Sequence, residues 1–197
     1  MQTLIIQERH CMKSYIDVTN FMGQQINQLS LTQQIAFLQH LIGQFVHELP
    51  NDWLDHELDS EKPHYQALFA QIINHTWHTD SIEQQLTALD DIMFALGDAY
   101  PHNTSEAILL ILDMLGFYQS LIATEEKSAL SNGWVILSTE SYLDYHDKLA
   151  EGSANQLEND GEQSYDEGIS FDNWLAHPLT QSAFQHITHA LKSAKNK

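Results

Sequence analysis

The feature that most constrains the fold is the segment 107–118, which reads AILLILDMLGFY. As a helix it is apolar on every face except at Asp113 and at the small Gly116. A helix that is apolar all round belongs inside a bundle, with other helices packed around it. With 12 residues it is too short to cross a membrane, which takes roughly 20 residues. The segment therefore predicts the buried central helix of an all-α protein.

The rest of the chain supports this fold class, because apolar residues recur every three to four positions and no segment alternates with a period of two. Ser30 is the predicted N-cap of a helix that continues to Leu49, and Pro50 follows directly. Further helices are predicted over 63–78, 80–96, 124–152 and from about 172, with a bend or restart at Pro178. We expect one domain of about seven helices over 30–197, preceded by an N-terminal helical arm over 1–29.

Charge narrows the possible partners. The chain has 27 acidic and 8 basic residues, a net charge of −19, and its one arginine is Arg9. Such a field repels phosphate groups, so we expect no binding to nucleic acid or to an anionic membrane. It attracts basic proteins. Two stretches without a basic residue could serve this purpose: 48–61, read as a solvated connection, and 151–172, read as a flexible acidic loop. Alternatively, the acidity serves only solubility.

Twelve histidines invite a metal hypothesis. His75 and His78, and likewise His186 and His189, are spaced i, i+3 and so share one helix face. A metal site would need a further ligand, usually an acid from a facing helix. Scattered histidines are common in a chain this rich in His and Gln, so we expect neither a metal nor a cofactor. Cys11 is the one cysteine and has no intramolecular disulfide partner.

Asp113 is the acid with the most open interpretation. Its neighbours at i±3 and i±4 offer it no partner on its own helix: Leu109, Leu110, Gly116 and Phe117. A buried carboxylate must find hydrogen bonds or have its pKa raised. One interpretation is structural, with Asp113 bound to another helix's terminal amides or to a Tyr, Trp or His side chain. The other places Asp113 at the floor of a pocket, with Trp77, His78 and His177 as further candidate residues.

Three stretches of the sequence together resemble one protein family. They are IAFLQHLIGQFVHELPNDW over 35–53, YPHNTSEAILLILDMLG over 100–116 and HPLTQSAF over 177–184. In this order they resemble the YjaG-like family of small bacterial all-helical proteins of unknown function, over roughly 29–191. The resemblance implies a cytoplasmic helical protein, and it supplies no reaction.

Two functions follow as hypotheses. The first is a non-enzymatic binding or regulatory protein that holds a basic protein partner on an acidic surface. The second is an enzyme or small-ligand binder with a pocket near Asp113. A cleft with convergent polar groups would favour the second, and a filled core with charge only outside would favour the first. The sequence leaves the ligand, the partner and the oligomeric state open.

Overall fold

A computed structural model describes residues 14–48, 102–158 and 171–197, together with the helical residues Gln84 and Thr87. These ranges form six helices and contain no strand. We number the helices in chain order: α1 (Tyr15–Asn27), α2 (Leu31–Glu48), α3 (His102–Ile122), α4 (Ala129–Glu158), α5 (Phe171–Ala176) and α6 (Pro178–Lys195). The all-α class is therefore confirmed for the described part of the chain.

The predicted number of about seven helices is not matched by these six. The helices predicted over 63–78 and 80–96 lie outside the described residues, apart from Gln84 and Thr87, which are helical. No helix in the described ranges is both long and apolar enough to cross a membrane.

Hydroxyl caps start the first two helices. The Ser14 side chain accepts a hydrogen bond from the Asp17 amide at 3.3 Å at the start of α1. Before α2, the Ser30 amide donates to Gln33 Oε1 at 3.0 Å, and the Gln33 amide donates to Ser30 Oγ at 3.3 Å. This reciprocal pair is a capping box and satisfies two amides that the helix leaves unpaired. The predicted N-cap role of Ser30 is confirmed.

The core forms where α2 meets three other helices. α2 packs against α3, α4 and α6, while α4 also packs against α1 and α3, and α5 packs on α6. The largest fully buried side chains come mostly from α2 and from the turn before it: Tyr142, Phe37, Phe45, Ile26, Leu29, Leu38, Leu41 and Ile42. α1 contributes Val18 and Ile26 to this same core. The division into an arm over 1–29 and a domain over 30–197 stays a prediction.

The prediction that the 107–118 helix is buried on every side is wrong. The buried residues of α3, which contains this segment, lie on one stripe: Ala107, Leu110, Ile111, Met114, Leu115, Tyr118 and Leu121. The opposite face is open, since Leu109 is 49% exposed and Asp113 is exposed. One face of the helix is therefore buried and the other is exposed, although the exposed face carries a leucine, Leu109.

The long helix α4 differs from the prediction at both ends. It begins at Ala129 rather than near Thr124, because Ser128 and Ser131 cap it reciprocally with bonds of 2.9 and 3.1 Å. It then continues to Glu158, so Gly152 does not end it. Residues 151–158 of the predicted acidic loop are therefore helical, and α5 includes 171–172, while 159–170 lie outside the described residues. The predicted restart at Pro178 is confirmed by the separate helices α5 and α6.

Candidate functional site: a carboxylate between two imidazoles

The structure describes two of the four predicted site residues, Asp113 and His177. Asp113 is exposed on the outer face of α3, so the expected burial of its carboxylate is wrong, while the pocket with Trp77 and His78 stays a prediction. His177 is the N-cap of α6, where its Nδ1 accepts the Leu179 amide at 3.3 Å. Trp77 and His78 lie outside the described residues.

A different acid occupies the interior. Glu48 is the last residue of α2, and its side chain is 22% exposed. It follows Phe45 by three residues and Leu41 by seven, and both of those side chains are fully buried. Because residues three, four and seven apart share a helix face, Glu48 continues the buried stripe of α2. The expectation that Glu48 starts a solvated connection is therefore wrong at this residue.

Helix α4 supplies two polar groups opposite Glu48. Tyr142 is fully buried and His146 is 5% exposed, and they are one turn apart on the face that α4 turns to the core. The ring of Phe45 meets Tyr142 edge-on, with the centroids 5.8 Å apart. The Tyr142 and His146 rings lie 4.4 Å apart. Aromatic packing thus fixes where the phenol and the imidazole point.

Helix α6 adds His186, which lies at the edge of its buried face with its side chain 23% exposed. Its Nδ1 contacts Glu48 Oε1 and lies 3.0 Å from the Tyr142 hydroxyl. Its Nε2 lies 3.5 Å from Gln44 Nε2 and from Ser182 Oγ. We call Glu48, Tyr142, His146 and His186 the Glu48 cluster.

The carboxylate is the hub of this cluster. The Tyr142 hydroxyl lies 2.9 and 3.0 Å from the two oxygens of Glu48, and Gln44 donates to Oε1 at 3.1 Å. His146 Nε2 lies 3.0 Å from Oε2. Four side chains from three helices therefore converge on one acid, and this saturates the acceptor sites of the carboxylate. Such satisfaction is what allows a charged group to sit among buried residues.

These contacts set the ionisation of the cluster. Burial acts to raise the pKa of Glu48, but hydrogen bonds from His146 and Tyr142 and the nearby His186 outweigh it, so the pKa lies below the ordinary 4.5. Burial and the adjacent Glu48 raise the pKa of the Tyr142 phenol. Burial lowers the pKa of His186 below 6.5, although Glu48 acts in the opposite direction. At neutral pH Glu48 is ionised, Tyr142 is a neutral phenol that donates, and His186 is neutral.

One histidine of the predicted His186–His189 pair belongs to the Glu48 cluster. His186 belongs to it, while His189 is exposed one turn further along α6. His75 and His78 lie outside the described residues. Within the described ranges, no group of three or more His, Cys, Asp or Glu side chains is arranged to hold a metal ion.

Chemically, the Glu48 cluster can orient an imidazole and accept a proton. A neutral His186 that donates from Nδ1 to Glu48 keeps a lone pair on Nε2, towards Ser182 and Gln44. Sequence reasoning found His186 through its spacing, but it missed Glu48, Tyr142 and His146. The helical periodicity of α2 could have identified Glu48, because Glu48 shares a helix face with Leu41 and Phe45.

Comparison with known proteins adds no relative: no family model, curated protein or solved structure matches this chain.

Proposed function

We propose that this is a non-enzymatic binding or regulatory protein that holds a basic protein partner on an acidic surface. The carrying observation is the net charge of −19, from 27 acidic and 8 basic residues. A field of this sign and size speeds the encounter with a basic partner and opposes binding to nucleic acid or to anionic lipid.

A local concentration of carboxylates supports the proposal. Glu140, Asp144 and Asp147 recur at i, i+4 and i+7 along α4, and we call them the carboxylate row. Burial and the negative charge of all three raise the pKa of Tyr15 on α1 to about 12. The three acids therefore act on one place, where α1 and α4 pack together. Beside Tyr15, Ile16 is 68% exposed and offers an apolar contact to the same partner.

The two acidic stretches named from the sequence contribute differently to this proposal. Glu48 is partly buried and its carboxylate is held by Tyr142, His146 and His186, so we leave it out of the proposed partner surface. Residues 49–61 and 159–170 lie outside the described residues and remain part of the proposed surface on charge alone. We also retain, on the sequence evidence, a single bundle of about seven helices, a cytoplasmic location and membership of the YjaG-like family as proposals.

The second candidate function is an enzyme or small-ligand binder, and one observation moves its site from Asp113 to the Glu48 cluster. His186 is oriented by an ionised carboxylate through Nδ1, and a quarter of its side chain remains open to solvent. A carboxylate-oriented imidazole is a common arrangement for a general base. The contact of Nε2 with Ser182 is long, at 3.5 Å, and both residues lie on α6 at i, i+4, where side chains meet without any functional reason.

Affinity capture from native lysate tests the leading proposal. The wild-type protein is compared with a row variant carrying Glu140→Gln, Asp144→Asn and Asp147→Asn. A control variant loses the same charge elsewhere through Asp113→Asn, Glu125→Gln and Glu126→Gln, all exposed positions. We expect wild type and control to retain a basic protein at 0.1 M salt and release it at 1 M, where screening shortens from about 10 to about 3 Å. The row variant should retain none.

Capture of the same protein by the row variant, or equal capture at both salt concentrations, would contradict the acidic-surface proposal. Self-association of both variants without loss of any partner would show that the acidity serves solubility.

A further inference from the structure

The Glu48 cluster contains two imidazoles and one carboxylate, and this imbalance has consequences when the pH falls. Both histidines contact the same acid, His146 at Oε2 and His186 at Oε1. Among the described residues, Glu48 is the carboxylate that forms an ion pair with either ring. One carboxylate neutralises one imidazolium, so a second one in the cluster would be left with an uncompensated charge.

His146 differs from His186 in the partners of its two ring nitrogens. Its Nδ1 lies 2.8 Å from the Tyr142 backbone carbonyl, and its Nε2 lies 3.0 Å from Glu48 Oε2. Both partners are acceptors. A neutral imidazole carries one N–H and can donate only one of these bonds, whereas the protonated ring donates both. Both ring nitrogens of His146 therefore face an acceptor, and one of these acceptors is the Glu48 carboxylate that His186 also contacts.

His186 has a different environment. Its Nδ1 side faces Glu48 of α2 and Tyr142 of α4, and its Nε2 side faces the Gln44 amide and Ser182. The neutral ring satisfies this arrangement by donating from Nδ1 and accepting at Nε2. A proton on Nε2 would turn that acceptor into a donor against the Gln44 nitrogen, which also donates. His146 from α4 and His189 from α6 oppose the extra positive charge.

We propose that the Glu48 cluster is an acid-sensitive joint, in which a proton on His186 Nε2 opposes the Gln44 amide and adds positive charge to a carboxylate shared with His146, and so loosens the packing of α2 on α6. The joint lies at the C-terminal end of α2, where that helix meets both α4 and α6. Its opening would begin as the pH falls below about 6.5, the ordinary pKa of histidine. The inference stands apart from the proposed binding function, since it involves no partner.

Urea unfolding of wild type, His186→Gln and His189→Gln between pH 7.5 and pH 5.5 tests the joint. Glutamine keeps an amide that can donate to Glu48 but cannot take up a proton. The unfolded wild-type chain binds a proton at residue 186 that the folded chain resists. Its unfolding equilibrium constant should therefore rise relative to that of His186→Gln, by up to about tenfold per pH unit below 6.5. His189→Gln removes only one of the two imidazoles that oppose a proton on His186, so it should change the pH profile much less than His186→Gln does.

Parallel pH profiles for wild type and His186→Gln would overturn the proposal. If His186→Gln does not fold, the NMR titration of the wild-type imidazoles decides. His186 should then titrate below the ordinary histidine value of 6.5, and the backbone amide signals near Ile187 should move with the same midpoint. Titration of His186 at or above 6.5 would equally overturn the joint.

Discussion

Glu48 at the end of α2 and Asp113 in the middle of α3 are acids on neighbouring helices, and their surroundings are opposite. Glu48 is 22% exposed and contacts Tyr142, His146, His186 and Gln44. Asp113 is exposed, on the face of α3 that carries the half-exposed Leu109. The comparison shows that helical phase decides the burial of an acid here, while the hydrophobicity of the flanking residues does not.

The largest expected effect comes from Glu48→Ala. This change leaves Tyr142, His146 and His186 without their shared partner inside the protein, and unpaired buried polar groups are costly. We expect the free energy of unfolding to fall by about 3 kcal/mol in urea unfolding followed by circular dichroism. Glu126→Ala, at an exposed acid before α4, is the control and should stay within about 0.5 kcal/mol. An equally small loss for Glu48→Ala would place that acid at the surface.

Lowering the pH should also destabilise the protein through Glu48, without removal of its side chain. The pKa of Glu48 lies below 4.5 in the folded protein, because its hydrogen bonds and the nearby imidazoles outweigh burial. The unfolded chain therefore takes up this proton first as the pH falls through 4.5, and stability present above that pH is lost. Glu48→Gln should remove this contribution, which amounts to at most about 1.4 kcal/mol per pH unit. Identical slopes for wild type and Glu48→Gln between pH 5 and pH 3 would refute it.

Tyr142→Phe tests a single donor of the cluster. The change removes the hydroxyl that lies 2.9 and 3.0 Å from the Glu48 oxygens and keeps the buried ring. We expect a loss of about 1.5 kcal/mol by urea unfolding, because a hydrogen bond to a charged group is worth more than one between neutral groups. Ser182→Ala removes a hydroxyl 3.5 Å from His186 Nε2 and should cost less. If the two variants lost the same stability, the Tyr142 bond to Glu48 would have no special strength.

Asp113→Ala should have the smallest effect. Replacing an exposed acid on the outer face of α3 removes few contacts within the protein, so the change in unfolding free energy should lie within about 0.5 kcal/mol. The urea midpoint measures it under the same conditions as Glu48→Ala. A loss above about 1 kcal/mol would mean that Asp113 has a partner inside the protein.

Much of the fold could be predicted from the sequence, because periodicity and caps are local. Ser30 and Pro178 mark helix starts at the predicted places. The ends of α4 could not be predicted in this way. The mutual bonds of Ser128 and Ser131 start it later than Thr124, and Gly152 continues the helix instead of ending it. A glycine costs a helix about 1 kcal/mol, which the packing of a long helix can offset.

The candidate site was harder to predict, because it is made by tertiary contacts between α2, α4 and α6. Local context favoured Asp113, which is flanked by apolar residues, and placed Glu48 in an acidic connection. Phase would have corrected both positions. Asp113 lies off the buried stripe of α3, which is marked by Ala107, Leu110 and Met114. Glu48 lies on the buried stripe of α2, which is marked by Leu41 and Phe45. The partners of Glu48, His146 and His186, lie 98 and 138 residues further along the chain, so no local sequence pattern could predict these contacts.

A double-mutant cycle between Glu48 and His146 tests most directly whether Glu48 joins α2 to α4. The free energies of unfolding of Glu48→Ala, His146→Ala and the double variant are measured against wild type at pH 7. We predict a coupling free energy of at least about 1 kcal/mol, so that the double variant loses clearly less than the two single losses combined. Losses that add to within about 0.5 kcal/mol would contradict a direct Glu48–His146 interaction.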